Sequence, residues 1–73
     1  MNNKQKKLSE LMRSKRLELD ITQEQAAELL DISARWYQKV ESGQSKPGFD
    51  LICDLAKEFS IDFSQFSEEE KAN

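Results

Sequence analysis

A chain of 73 residues suffices for one small domain and excludes two, and so short a chain buries only a modest fraction of its surface. Apolar residues at 37% beside charged residues at 34% argue against disorder and fit a compact soluble helical domain. One cysteine excludes an internal disulfide and the absence of histidine removes Cys/His zinc clusters, so neither a metal nor a cofactor is expected.

Residues 1–5 form a polar N-terminal arm that runs into Lys6 and Lys7. It reads as a frayed helix start, with a basic arm reaching along a nucleic-acid groove as the alternative. The apolar residues recur at three- and four-residue spacing, which favours an all-α architecture throughout. A first helix is predicted over 6–19, with Leu8, Leu11, Met12 and Leu19 feeding the core. Arg13, Lys15 and Arg16 give it a basic side; Arg13 and Lys15 read as solvated charges, with phosphate contact the alternative.

Residues 22–43 read as two short helices joined by a tight turn. Thr22 and Gln25 make a Thr-x-x-Gln capping box, so a helix starts near Gln23. Ala26, Ala27, Leu29 and Leu30 offer an apolar face that is small in the middle, as a close crossing of a helix-turn-helix needs. Ser33 is a second N-cap, flanked by Ile32 and Tyr37 at the positions of a hydrophobic staple. The second helix runs from Ala34 to about Ser42, where Gly43 can take the left-handed conformation that closes helices.

This second helix has two faces. Tyr37 and Val40 point toward the core, and Ala34, Arg35, Gln38 and Lys39 fall on the other side. A guanidinium, a carboxamide and an ammonium suit base edges and phosphates in a DNA major groove, whereas a polar helix face alone is ordinarily solvated surface. Trp36 packs over the loop near Pro47, or over a sugar-phosphate edge, or anchors a protein partner.

The loop Gln44 to Gly48 carries groups that can meet phosphate oxygens. A fourth helix is predicted over 49–59, with Asp50 near its positive end and Phe49, Ile52, Leu55, Ala56 and Phe59 as its core stripe. Cys53 lies beside that stripe as a semi-buried structural thiol. Asp62 and Gln65 repeat the capping logic, so a short fifth helix starts at Phe63, and Phe63 and Phe66 close the core from below. Residues 67–73 form an acidic tail, either solubilising or the stub of a linker.

From about Leu8 to Phe66 the chain resembles the DNA-binding domain of the lambda-type phage repressor and Cro family. The resemblance rests on Arg16, Thr22-Gln23, Ala27, Ile32-Ser33, Tyr37, Glu41-x-Gly43, Pro47 and Ile52-x-x-Leu55-Ala56-x-x-Phe59-x-Ile61, in this order and spacing. It implies a compact five-helix domain over 6–66, base-facing roles for Ala34, Arg35, Gln38 and Lys39, and phosphate contacts from Gln23, Gln44, Ser45 and Lys46. It also implies a structural ion pair between Arg16 and Glu41, and a dimer contact at Phe63 or Phe66. Asp20, Asp31 and Ser60 stand where the family often has glycine, at positions that require positive φ. Trp36 replaces a smaller polar residue.

The formal charge of −3 is unevenly spread. Residues 1–48 hold nine Lys or Arg against seven Asp or Glu, whereas residues 49–73 hold two against seven, so acid is concentrated away from the motif. Local potential at the contact face governs DNA affinity, because charges farther away than a Debye length of roughly 8 Å are largely screened. The expected function is a sequence-specific transcriptional regulator, a repressor binding double-stranded DNA as a homodimer on a pseudo-palindromic operator. Two alternatives stand beside it: the antitoxin of a toxin–antitoxin pair, and a protein-interaction module with vestigial DNA binding. No nucleophile stands beside a base and no glycine-rich phosphate loop occurs, so an enzyme is not expected. The N-terminus lacks an apolar segment after its charges and no run approaches membrane-spanning length, so the expected location is the cytoplasm, away from membranes.

Overall fold

The computed structural model describes residues 3–64. Its helices are α1 (Asn3–Glu18), α2 (Gln23–Leu29), α3 (Ala34–Glu41) and α4 (Phe49–Glu58), with no strand among the described residues. Thr22 and Ser33 start the two motif helices as their sequence requires. The Thr22 hydroxyl accepts from the Gln25 N–H at 3.0 Å while Gln25 Oε1 accepts from the Thr22 N–H at 2.9 Å, completing the capping box. Ser33 Oγ accepts from the Trp36 N–H. Each bond satisfies a donor that a helix start would otherwise leave without an intrahelical partner.

Helices α1, α2 and α3 all end in the same way. Asp20 donates to the Leu17 carbonyl and Ile21 to that of Arg16; Asp31 donates to Glu28 and Ile32 to Ala27; Gly43 donates to Val40 and Gln44 to Lys39. This is the paired bonding of the Schellman motif, which needs a left-handed residue just past the helix. Asp20 and Asp31 take it at φ 58°, Ser60 at φ 53° after α4, and Gly43 at φ 84°. The residues that replace the family's glycines adopt the glycine conformation. Ile21 and Ile32, which follow the two aspartates, then pack against the core.

The core gathers Leu8 and Met12 from α1, Ala26 and Ala27 from α2, Tyr37 and Val40 from α3, and Leu51 and Leu55 from α4. Leu30, Phe59 and Ile61 complete it. The small Ala26 and Ala27 let α3 pack closely on α2, and α3 also packs on α1. The Tyr37 ring meets Phe59 edge-on, with centroids 6.4 Å apart, joining α3 to the end of α4.

Several sequence-based expectations are corrected. Helix α1 begins at Asn3, so residues 3–5 of the expected arm are helical, and Gln5 Nε2 donates to the Gly43 carbonyl at 3.2 Å. Leu19 and Leu29 are exposed, because both lie at helix ends where the chain turns away. On α4 Leu55 and Phe59 are buried and Ile52 is half-buried, as expected, but the third fully buried position is Leu51, which the expected stripe omits. Phe49 is 80% exposed and Ala56 and Cys53 are exposed as well. Residues 51, 55 and 59 make as good an i, i+4, i+8 stripe as the one predicted, and periodicity alone does not choose between them.

Phe63 packs half-buried against the core, and Asp62 Oδ1 accepts from the Ser64 N–H at 3.0 Å, a local bond suited to a helix start. That bond lowers the Asp62 carboxyl pKa. Phe66, all but the first residues of the expected fifth helix, and the tail 67–73 lie outside the described residues. Four helices are therefore present among the described residues.

Candidate nucleic-acid interface

The outward face of α3 is positioned by a single carboxylate. Glu41, in the last turn of α3, is buried yet receives four hydrogen bonds. Arg16 reaches it from α1 in a two-pronged arrangement, Nε to Oε2 at 2.8 Å and an Nη to Oε1 at 3.2 Å. Gln23 Nε2 donates to Oε1 at 3.1 Å from the first residue of α2, and the Tyr37 hydroxyl donates to Oε2 at 2.5 Å from one turn earlier on α3. The other Nη of Arg16 donates to the Ile21 carbonyl at 3.0 Å. One acid thus ties together α1, the turn after it, α2 and α3.

These contacts set the charge states. Burial pushes the Glu41 carboxyl upward, but the donors from Arg16, Tyr37 and Gln23 outweigh it and hold the pKa below the ordinary carboxylate value. The hydrogen bond to Glu41 raises the Arg16 pKa against the opposing effect of burial. Burial raises the Tyr37 phenol strongly, and the bond to Glu41 adds to the shift. The predicted Arg16–Glu41 pair is present, while the parts played by Gln23 and Tyr37 escaped the sequence reading. Tyr37 lies four residues before Glu41 and so shares its face, a signal that was there to be used.

Gln23, Arg35, Gln38, Lys39, Ser42 and Gln44 line one open crevice. Five of these six were candidates on sequence grounds; Ser42 was not. Its hydroxyl donates to the Lys39 carbonyl at 3.1 Å. Arg35 and Gln38 are exposed and Lys39 is half-buried, so the crevice presents a guanidinium, three carboxamides and an ammonium on one side of α3. Gln23 holds its place through its bond to Glu41.

The remaining candidates lie elsewhere. Ala34 packs half-buried against the edge of the core and does not line the crevice. Trp36 also packs against the core. Lys46 lines a separate groove with Leu8, Pro47, Ile52 and Phe63, and Ser45 is half-buried beside it in the chain. The N–H groups of Gln44 and Ser45 both donate to the Lys39 carbonyl, at 2.9 and 3.2 Å, and Gln44 is exposed.

Among the described residues no group of three His, Cys, Asp or Glu side chains is placed to hold a metal ion, and no helix is long and apolar enough to cross a membrane. A helix-turn-helix family model, that of the XRE-family, lambda repressor/Cro-like proteins, matches residues 12–66. The chain belongs to this family. As a member of the XRE helix-turn-helix family it is a DNA-binding protein of the transcription-regulator class. Neither a curated protein nor a solved structure matched the chain.

Proposed function

We propose that this helix-turn-helix protein is a sequence-specific repressor that acts by occupancy. A homodimer sets two copies of α3 in successive major grooves about 34 Å apart on a pseudo-palindromic operator and blocks the polymerase. Arg35 and Lys39 discriminate bases, Gln38 adds a carboxamide suited to adenine, and Ala34 stands at the tip of the helix where a small residue admits the base edge. Gln23, Gln44, Ser45 and Lys46 hold phosphates and set the register. Phe63 and Phe66 supply the dimer contact, and the protein works in the cytoplasm.

The observation that carries this reading is the crevice in which Arg35, Gln38 and Lys39 of α3 meet Gln23 of α2 and Gln44 of the following loop. A base-reading helix flanked by phosphate-binding groups from two other segments is what docking in a major groove requires. The antitoxin alternative shares this interface and adds a toxin partner, which co-purification from the native host would reveal. The interaction-module alternative leaned on Trp36, and the packing of that ring against the core reduces the surface it offers a partner.

Footprinting on the DNA upstream of the protein's own gene tests the proposal. Protection of two half-sites centred one helical turn apart, with reduced transcription in the presence of the protein, is the expected result. A single unpaired protected segment would remove the dimer, and increased transcription would remove the repressor.

A further inference from the structure

Beyond the reading crevice, two more crevices run along α1. One is lined by Arg13, Arg16, Gln23, Glu41 and Ser42, and the other by Lys6, Ser9, Glu10, Arg13, Glu41 and Ser42. They share Arg13, Glu41 and Ser42 with each other, and the first shares Gln23 and Ser42 with the reading crevice. A continuous furrow therefore leads from the base-facing side of α3 to the N-terminal half of α1. Lys6 and Arg13 are two helical turns apart and lie on one face of α1. Both are exposed, and neither forms an ion pair among the described residues.

The floor of the furrow does not repel an anion as its composition would suggest. The Glu41 carboxylate is neutralised by Arg16 and further engaged by Gln23 and Tyr37. Arg16 is committed to Glu41 and to the Ile21 carbonyl, and the Ser9 hydroxyl to the Lys6 carbonyl at 2.8 Å. The groups left to meet a ligand are the Lys6 ammonium and the Arg13 guanidinium, with Glu10 as the opposing charge on the rim. Seven residues of helix separate the two cations by roughly 10 Å along the axis, about three base-pair rises of 3.4 Å measured along the DNA axis.

We propose that Lys6 and Arg13 are phosphate-binding residues, and that the DNA strand beside the reader helix continues along this furrow onto α1. The proposal rests on the DNA-binding reading of α3 and extends its interface. Contacts of this kind position the protein without reading sequence, so they contribute equally on any duplex.

The test compares Arg13→Gln, Lys6→Gln, Glu10→Gln and, as a charge control on α4, Lys57→Gln, each in the full chain. Affinity for an operator duplex and for an unrelated duplex is measured at several salt concentrations, with circular dichroism to verify folding. Arg13→Gln and Lys6→Gln are expected to weaken binding several-fold on both duplexes and to lower the salt slope by about 0.9 each. Glu10→Gln is expected to tighten binding, and Lys57→Gln to leave the slope unchanged. Equal effects from Lys57→Gln and Arg13→Gln would reduce the furrow to net charge and overturn the proposal. An unchanged slope in Arg13→Gln and Lys6→Gln would overturn it while leaving α3 as reader. A wild-type protein that binds no duplex would overturn both.

Discussion

Arg16 and Glu41, 25 residues apart in the chain, meet at 2.8 Å with side chains only 13% and 5% exposed, and through them α1 fixes the end of α3. The pair gains its structural weight from what else it holds: the Ile21 carbonyl, Gln23 and Tyr37. Arg16→Met is expected to destabilise the fold by about 3 kcal/mol, because it leaves a buried carboxylate without its counter-charge. Adding Glu41→Gln to that variant should recover part of the loss. Urea unfolding of the two singles and the double gives the coupling; strictly additive effects would show that the contacts do not act as a unit.

Acid stability follows from the sign of the Glu41 shift. Its folded pKa lies below the ordinary value of 4.5, so its contribution is complete above that value and is lost as pH falls through the folded pKa. Stability should decline as pH drops below about 4.5, and Glu41→Gln, already weaker at neutral pH, should show a flatter acid limb. An acid limb unchanged by Glu41→Gln would assign the decline to other carboxylates.

Tyr37 has the opposite linkage. Its folded pKa is raised, so its contribution is present below the ordinary phenol value of about 10 and is lost as pH rises beyond it. Tyr37→Phe should remove the alkaline loss along with the hydroxyl's bond to Glu41. Unfolding curves between neutral pH and pH about 11 read this directly.

Asp20 and Asp31 carry side chains at φ 58°, where a Cβ is strained and glycine is not. Asp20→Gly and Asp31→Gly should each stabilise the protein by about 0.5–1 kcal/mol, the relieved strain exceeding the added freedom of the unfolded chain. A lower melting temperature in either variant would mean that the aspartate carboxylate contributes more than its backbone costs.

The buried face of α4 makes a sharp contrast between Leu51 and Phe49. Leu51→Ala should cost about 2–4 kcal/mol through the cavity it leaves, whereas Phe49→Ser, at a position 80% exposed, should stay within about 0.5 kcal/mol. The reverse ranking would restore the stripe read from the sequence.

Local chemistry was the most legible part of this chain. Thr22, Gln25 and Ser33 announce helix starts through side-chain bonds to adjacent backbone, and Asp20, Asp31 and Ser60 announce left-handed turns through their places in the family pattern. Such features depend on a few consecutive residues. The face that α4 buries depends instead on how it docks on the common core, and adjacent Leu51 and Ile52 leave periodicity unable to choose between them. In the candidate interface, Arg35, Gln38, Lys39, Gln23 and Gln44 were found because each sits at a recognisable motif position. The convergence of Gln23 and Tyr37 on Glu41, and the furrow joining α3 to Lys6 and Arg13, arise from tertiary packing that no single segment encodes.

The most direct test is a titration of the protein and its Arg35→Ala variant against the DNA upstream of its own gene, with excess unrelated duplex, at two salt concentrations. Site-specific binding is expected in the wild type, weakened by about 1–3 kcal/mol in Arg35→Ala, with binding to unrelated duplex nearly unchanged. Equal losses on both duplexes, or no site-specific binding by a correctly folded wild type, would contradict the assignment of α3 as the reader of a DNA sequence.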